Sequence, residues 1–344
     1  MRNILKIVWV LIGTIIGAGF ASGQEIDLFF YSYGFNGILG IVLMSGLTGM
    51  ILYKVLNISM KNNIKNYKEF MQYILERQNN FLNSKKILNI QNAIVNIFLF
   101  GSFIIMIAGF ASFLEQEYNI NKILGSIVMS ILFFITSIKK QNGLVKLNQI
   151  LTPLLVIGIF CLGLINLKNI DINIIDKLIN KNNNAWIIGS VIYCSYNLII
   201  LIPIAISICS YVKSKKNAKI VSIVTSIGIA VIAIIIYFSL STIDIQSLYL
   251  DIPIMYSIKK ISIMFSYIYS IVILFSILTS CISAGYSFLE NICKNQKSYP
   301  QIVLFMCITG VIISNFGFSK LVSLLYPTFG VIGILQIIFL IKAK

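Results

Sequence analysis

Residues 13–27 combine the features of a broken membrane helix with polar groups that can bind a solute. This stretch holds several glycines, then a glutamine and two carboxylates, Glu25 and Asp27, inside an apolar run that starts near Leu5. A glycine costs about 1 kcal/mol relative to alanine in a helix interior. A carboxylate at the centre of a membrane span costs about 2.5–3.5 kcal/mol. A helix that only crossed lipid would not concentrate such residues, so the segment predicts unwound backbone that lines a polar cavity.

This predicted break supplies the first half of a candidate solute site. Free N–H groups at the start of a half-helix suit a carboxylate or another anionic group, and aromatic side chains supply apolar walls. The predicted solute-binding residues around the break are Gly17, Gly19, Phe20, Ala21, Ser22, Gly23, Gln24 and Glu25. Close packing between helices is the alternative, because glycines four residues apart also let two helices approach each other.

The composition indicates that lipid is the main solvent of this chain. It has 344 residues, of which 58% are hydrophobic and 11% charged, with a mean hydropathy of +0.91; a soluble domain carries about 25% charged residues. The net charge of +16 lies in short Lys and Arg clusters between apolar runs, which argues against nucleic-acid binding. The six cysteines lack metal-site spacing and histidine is absent, so we predict no cofactor and no enzymatic activity.

Ten apolar segments approach the length needed to cross a hydrocarbon core of about 30 Å. They lie at 4–31, 36–58, 88–114, 120–138, 143–167, 184–211, 216–240, 261–289, 299–317 and 320–341. The prediction is an all-α polytopic membrane protein with a single domain over 1–344. The loop at 59–87 predicts an amphipathic helix on the membrane surface, with apolar residues Ile64, Tyr67, Phe70, Met71, Ile74 and Leu75.

The distribution of positive charge predicts the orientation of the spans. With the N-terminus inside, 20 of the 27 Lys and Arg residues fall on the cytoplasmic side and 7 on the other. Both termini are therefore predicted to be cytoplasmic in a cell membrane. The first apolar run is longer than the core of a signal peptide and no convincing cleavage site follows it, so we interpret it as a retained span.

The run IGAGFASGQEI at 16–26, followed by Phe29 and Phe30, resembles the signature near the start of YkvI-like bacterial membrane proteins. These are similar to the amino acid–polyamine–cation transporter superfamily. The span count agrees along the whole chain, and this motif is the specific part. The resemblance implies a bacterial plasma membrane and the LeuT fold. That fold has two inverted five-helix repeats, here about 4–167 and 184–342, with the first and sixth helices discontinuous.

The sixth span contains a polar and aromatic cluster where the resemblance implies a second break. Trp186 stands where an interface anchor is expected, which puts the cluster near mid-membrane. The predicted solute-binding residues in this span are Tyr193, Ser195, Tyr196 and Asn197. Tyrosines that mark a membrane interface are the alternative interpretation.

In sodium-coupled members of this fold, one sodium site joins first-helix carbonyls to eighth-helix hydroxyls. Carried over to this chain, the ligands are Gly13, Ile16, Ser276, Thr279 and Ser280. The three hydroxyl residues share one helix face and can converge on one ion. The alternative is that each hydroxyl bonds a carbonyl of its own helix. Phe20 replaces an asparagine of some sodium-coupled members, which argues against a second sodium there.

Proton coupling is the rival to sodium, with Glu25 as the proton carrier, since this carboxyl lies just beyond the unwound segment. The leading functional hypothesis is an ion-coupled symporter of an amino acid or amine that works by alternating access. The second is a ligand-sensing, permease-like subunit of the germinant-receptor type. Predicted partners are the lipid bilayer and a small-molecule substrate, and the sequence does not decide the oligomeric state.

Overall fold

The computed structural model describes residues 2–64, 66–77, 84–138, 153–161, 185–293 and 298–342, which are almost entirely helical and contain no strand. The helices are α1 Arg2–Ile15, α2 Ala18–Ala21, α3 Gln24–Phe29, α4 Phe35–Lys61, α5 Tyr67–Glu76, α6 Ser84–Tyr118, α7 Lys122–Ile138, α8 at 153–161, α9 Trp186–Ser207, α10 Lys215–Ser241, α11 Ile245–Leu248, α12 Pro253–Ile261, α13 Ile263–Ile292, α14 Tyr299–Ser314 and α15 Phe318–Lys342. Two short 3₁₀ turns lie at Tyr31–Tyr33 and Cys209–Tyr211.

Six of the described helices are long and apolar enough to cross a membrane: α4, α9, α10, α13, α15 and the Asn89–Tyr118 part of α6. Three shorter apolar helices, at Ile4–Ile15, Lys122–Ile138 and Tyr299–Ser314, match other predicted spans. Large apolar side chains such as Met50, Ile188 and Met264 are more than half exposed on the outside of the bundle, where they require lipid. The fifth predicted span, 143–167, lies within the described residues only at 153–161.

The helices pack into two groups. In the first, α4 contacts α9 and α10, and α1 contacts the same two helices. In the second, α6 contacts α7, α13 and α14. Helix α15 packs along α9 and also against α6, so it joins the groups. Helices α1 and α4 belong to the first and second spans, and α9 and α10 are the sixth and seventh. Contacts between these two pairs are what two five-span repeats would produce. The division of the chain into two repeats stays a prediction.

The apolar face of the amphipathic helix α5 is covered by protein and not by lipid as predicted. Its apolar residues Phe70, Met71, Ile74 and Leu75 are fully buried, and the helix contacts α6, α9 and α15. The helical spacing of these apolar residues is confirmed, but an apolar face can be covered by protein as well as by lipid. Here the end of the helix bundle provides the apolar partner, so α5 closes one end of the molecule.

The expected break in the sixth span is not observed, because α9 is continuous from Trp186 to Ser207. The polar side chains in this helix are satisfied without unwinding. Ser195 Oγ donates to Val191 O at 2.6 Å, and Asn197 Nδ2 donates to Tyr193 O at 3.0 Å. Such bonds to a carbonyl four residues earlier let polar residues sit inside a helix.

The connection between α10 and α13 covers the end of the bundle opposite α5. Residues 250–254 lie across the broken first helix and the end of α6: Gln24 Nε2 donates to Leu250 O at 2.6 Å, and Ile254 N donates to Ser22 O at 3.2 Å. The Ile252 amide donates to Gln116 Oε1 at 2.9 Å, and Gln116 Nε2 donates to the Ile252 carbonyl at 3.1 Å. These bonds tie the connection to both groups of helices.

Asp251 in this connection predicts a pH-dependent contribution to stability. Its carboxylate accepts hydrogen bonds from the Ser319 amide and hydroxyl and lies 3.5 Å from Lys122 Nζ. Burial alone would raise the pKa of Asp251, but donation by Ser319 and the Lys122 charge hold it below its ordinary value. A carboxyl whose pKa is lowered by folding stabilises the protein above its unfolded pKa, and this stabilisation is lost as the pH falls through the folded pKa.

Asp251→Asn is therefore expected to lower the free energy of unfolding by about 1–3 kcal/mol at neutral pH. The difference from wild type should shrink below about pH 4, as measured by thermal midpoints in detergent across that range. Asp244→Asn is the control, because the Asp244 carboxylate pairs with Lys260 at an exposed position where an ion pair contributes little. An Asp251→Asn deficit that is the same at every pH would contradict the assignment.

Candidate functional site

The first span is interrupted twice, as its glycines and polar residues predict. Helix α1 ends at Ile15, Gly17 is extended, and α2 ends before Gly23, which has the left-handed φ of 87°. A side chain at Gly23 would be strained by that φ and would also collide with Ile254. The chain then resumes as α3, whose first turn carries Glu25. The interruptions let the Glu25 side chain point back into the bundle.

Glu25 is the central group of the site. Its side chain is buried, with 3% of the residue exposed. The Oε2 atom accepts hydrogen bonds from the hydroxyls of Tyr193, at 3.0 Å, and Tyr196. No lysine or arginine of the described segments forms an ion pair with it. A carboxyl group placed in a membrane bundle without a basic partner is expensive, and such residues mark solute or ion pathways.

Aromatic rings pack around the two tyrosines that bond this carboxyl group. The Tyr196 ring stacks on the Tyr326 ring with 4.7 Å between their centroids. The Phe29 ring also stacks on Tyr196, with 5.9 Å between centroids. Tyr193 meets Tyr196 edge-on at 5.2 Å, and Phe98 lies 6.4 Å from Tyr196. We call Phe29, Phe98, Tyr193, Tyr196 and Tyr326 the aromatic box. It draws residues from α3, α6, α9 and α15.

Gly19 provides the space into which the Glu25 carboxyl group folds. A Cβ atom at Gly19 would overlap Glu25 Oε1, so any larger residue would push the carboxyl group aside. Of the residues predicted to bind solute, Gly19, Glu25, Tyr193 and Tyr196 are therefore brought together in one place.

The other predicted solute-binding residues lie around this centre without contacting the carboxyl group by hydrogen bonds. Phe20 and Ala21 are fully buried, and the Ala21 carbonyl accepts from the Tyr269 hydroxyl at 3.1 Å. Ser22 and Gln24 face residues 250–254. Ser195 and Asn197 bond their own helix. Their roles in binding stay predictions.

Three members of the aromatic box were not predicted as site residues: Phe29, Phe98 and Tyr326. Phe29 follows the motif at 16–26, but the motif predicts no role for it in the site. Phe98 and Tyr326 lie far away in the sequence, on α6 and α15. The chain contains 23 Phe and 17 Tyr residues, so their residue type alone carries no signal for a site.

One predicted sodium ligand, Ser280, lies beside the break of the first span, because α13 contacts α2. The Gly17 amide donates to Ile15 O at 2.9 Å, so it leaves the Gly13 carbonyl without its usual helical donor. The Ser280 hydroxyl lies 3.8 Å from the position that a Gly17 Cβ would occupy. Thr279 Oγ1 donates to Phe275 O at 2.9 Å, as the alternative of bonding within the helix predicts, and the lone pairs of its oxygen can still coordinate a cation. We call Gly13, Ile16, Ser276, Thr279 and Ser280 the cation corner.

A cavity of about 190 Å³ lies between the aromatic box and α5. Its walls include Val95, Ile199 and Ile332. Val95 is three residues from Phe98 on α6, and Ile199 is three residues from Tyr196 on α9. The cavity lining and the aromatic box therefore lie about one helical turn apart along α6 and α9. Tyr67 of α5 closes the far side and accepts a hydrogen bond from Gln336 Nε2 at 2.9 Å.

The fold and this broken helix define a multi-pass α-helical membrane protein with the LeuT-type transporter fold. The transporter Mhp1 in an inward-facing conformation is similar, with a TM-score of 0.63, 11% identity, and coverage of 95% of this chain and 72% of that one. A Na⁺-coupled sialic acid symporter has a TM-score of 0.60 at 13% identity and covers 97% and 76%. A manganese transporter of Eremococcus coleocola gives 0.60 at 12% identity and covers 98% and 78%.

By sequence, the chain is homologous to the membrane protein YkvI of Bacillus subtilis (strain 168). The two are 26% identical over 344 residues, which cover 96% of this chain and 92% of YkvI. The protein YyaD of the same organism is 25% identical over 348 residues, covering 98% and 96%. No protein-family model matches the chain. The predicted resemblance to YkvI-like proteins is thus confirmed.

Proposed function

We propose that this protein is an ion-coupled secondary transporter of an amino acid or amine, which passes Glu25 by alternating access. The observation that carries the proposal is a buried carboxyl group, without a basic partner among the described residues, at the break of the first span. Discontinuous spans and ionisable groups at such depth are the features of transporter sites. The fold supports the proposal, since the similar structures named above are transporters.

Closure at both ends of the bundle supports alternating access. Residues 250–254 cover the break on the side predicted to be external, and α5 covers the cavity on the side predicted to be cytoplasmic. A solute at Glu25 would be released toward the cytoplasm when the aromatic box and α5 separate. It would enter from outside when residues 250–254 release Ser22, Gln24 and Gln116.

The transport proposal is tested with purified protein in liposomes. Uptake of labelled amino acids and amines is measured under a sodium gradient, under a proton gradient and with no gradient. Accumulation of at least one solute against its own gradient is the expected result. Specific binding of a solute without accumulation under either gradient would overturn transport and favour a ligand-sensing subunit.

Sodium at the cation corner is our proposal for the coupling ion. If sodium binds only the folded state, a concentration 100 times its dissociation constant stabilises that state by about 2.7 kcal/mol. The thermal midpoint should therefore be higher in sodium chloride than in potassium chloride at equal ionic strength. Thr279→Ala is expected to remove the difference, because it deletes one hydroxyl ligand.

Thr309→Ala is the matched control for this experiment. Thr309 Oγ1 donates to Phe305 O at 2.8 Å and Met306 O at 3.0 Å, the same local bonds that Thr279 makes. It lies on α14, outside the cation corner, so its variant should keep the sodium response. Equal midpoints of the wild-type protein in both salts would contradict the sodium site and leave Glu25 as the proton carrier to test.

A further inference from the structure

We propose that Glu25 recognises the positive charge of an organic ammonium group, so that the solute is a small amine and not an anion. This inference rests on the transporter proposed above and names the chemistry of its solute. The class runs from primary amines to quaternary ammonium ions, because all of these carry a positive charge next to an apolar frame.

The charge of the site favours a cation. Glu25 brings a carboxyl group into the bundle, and none of the described lysines or arginines pairs with it. A carboxylate solute would meet repulsion from Glu25, whereas an ammonium group would supply the missing opposite charge. Charged pairs of this kind form stronger hydrogen bonds than neutral pairs do.

Three backbone donors of the break are already engaged and are not available to an anion. The amides of Ser22 and Gly23 donate to Ala18 O at 2.9 Å and Phe20 O at 3.1 Å. The Gln24 amide faces the Ser22 hydroxyl at 3.4 Å. The sequence predicts that N–H groups at this break lack hydrogen-bond partners and can bind an acidic solute. Since they are already engaged, the sequence-based argument for a carboxylate ligand does not apply to them.

The aromatic box suits an ammonium ion for a second reason. The face of an aromatic ring is electron-rich and attracts a cation within about 6 Å of its centroid. Two rings of the box donate their hydroxyls to the carboxyl group, and the other three lie within 6.4 Å of the Tyr196 ring. An entering ammonium group with an N–H would take over the donor role of the Tyr196 hydroxyl, and a quaternary ion would pair with the carboxylate by charge alone.

One polar atom in the cavity lining is an acceptor without a partner. The side-chain oxygen of Gln91 is buried and has no hydrogen-bond partner in the described part of the chain. Gln91 lines the cavity below the aromatic box and is 8% exposed. An ammonium group with an N–H is a donor without acceptor capacity, so it matches both this oxygen and the Glu25 carboxylate, whereas a quaternary ion matches them by charge alone. The remaining walls of the cavity are mainly apolar and suit the frame of the molecule.

The experiment compares charged and uncharged probes of one shape on the full chain in detergent and potassium chloride. Tetramethylammonium, choline and 2-phenylethylammonium are the cations. The uncharged partner of choline is 3,3-dimethylbutan-1-ol, and the anionic partner is 3,3-dimethylbutanoate. We expect at least one cation to bind about tenfold or more tightly than the uncharged and anionic molecules. Equal binding of the uncharged molecule, or no binding of any cation, would overturn the inference.

Two variants locate the binding. Glu25→Gln keeps the size and an acceptor oxygen but removes the charge, and it should abolish the preference for cations. Glu290→Gln removes an exposed carboxylate at the end of α13 and should bind like the wild type. Cation binding that survives in Glu25→Gln would show that the ammonium group binds elsewhere and would also overturn the inference.

The two proposals fail in different ways. Cation binding that depends on Glu25, without uptake under any gradient, keeps the ammonium site and overturns transport. Gradient-driven uptake of a solute without a positive charge keeps transport and overturns the ammonium site.

Discussion

Gly19→Ala is expected to weaken both binding of the ammonium probes and solute uptake by about 10- to 100-fold. The added methyl group would overlap Glu25 Oε1 and displace the carboxyl group from the Tyr193 and Tyr196 hydroxyls. A hydrogen bond to a charged group contributes about 1.5–3 kcal/mol, which corresponds to this loss in affinity. Direct binding measurements and uptake in liposomes both report it.

The fold should survive this change, because the overlapping atom is the end of a flexible side chain. The thermal midpoint of Gly19→Ala is therefore expected to stay close to that of the wild type. Gly46→Ala is the control, since a Cβ atom at Gly46 has nothing within 4 Å and the residue is exposed on α4. Wild-type binding in Gly19→Ala would show that Glu25 does not need its observed position.

Gly330→Ala is expected to reduce the free energy of unfolding by about 1–3 kcal/mol, and by more if the backbone cannot move. A Cβ atom at Gly330 would lie 2.5 Å from the carbonyl oxygen of Ile192, and one at Gly333 would lie 2.7 Å from that of Ser195. On α15, Gly330 and Gly333 are three residues apart, and they face Ile192 and Ser195, which have the same spacing on α9. The backbones of these parallel helices touch where the aromatic box is built.

The destabilisation by Gly330→Ala is measured by thermal or denaturant unfolding in detergent. Because backbone atoms are the obstacle, rotation of a side chain cannot relieve the overlap, and α15 must move away from α9. Gly46→Ala again provides the comparison, and it should be neutral or stabilise the protein by up to about 1 kcal/mol through helix propensity. Equal stability of the two variants would contradict the close approach of α9 and α15.

The membrane spans and the break in the first of them could be predicted because their signals are local. A span needs about 20 consecutive apolar residues, and α4, α10 and α13 contain them. The interruption between Ile15 and Gln24 follows from glycines and polar residues in one short stretch, which no stable lipid-facing helix would contain. Local patterns also predicted Glu25 and the tyrosines of α9 as site residues, and the structure brings them into contact.

The predictions that failed depended on what covers a surface or satisfies a polar group. The amphipathic pattern of α5 predicted its apolar face but not that protein, rather than lipid, would cover it. The polar cluster in α9 predicted a break, yet Ser195 and Asn197 bond carbonyls of their own helix. A sequence lists polar side chains without their partners, so unwinding and local bonding give the same pattern.

The sequence by itself determined that this chain spans a membrane, that its first span is broken, and that Glu25 lies at the break. Composition and local spacing are sufficient for these conclusions, because the cost of glycine and charge in a lipid-exposed helix is set within a few residues. Only the tertiary structure decided that Tyr193 and Tyr196 donate to Glu25 and that Phe98 and Tyr326 complete the aromatic box. These contacts join residues on different helices, and they depend on how closely those helices pack, which the close approach at Gly330 and Gly333 makes possible.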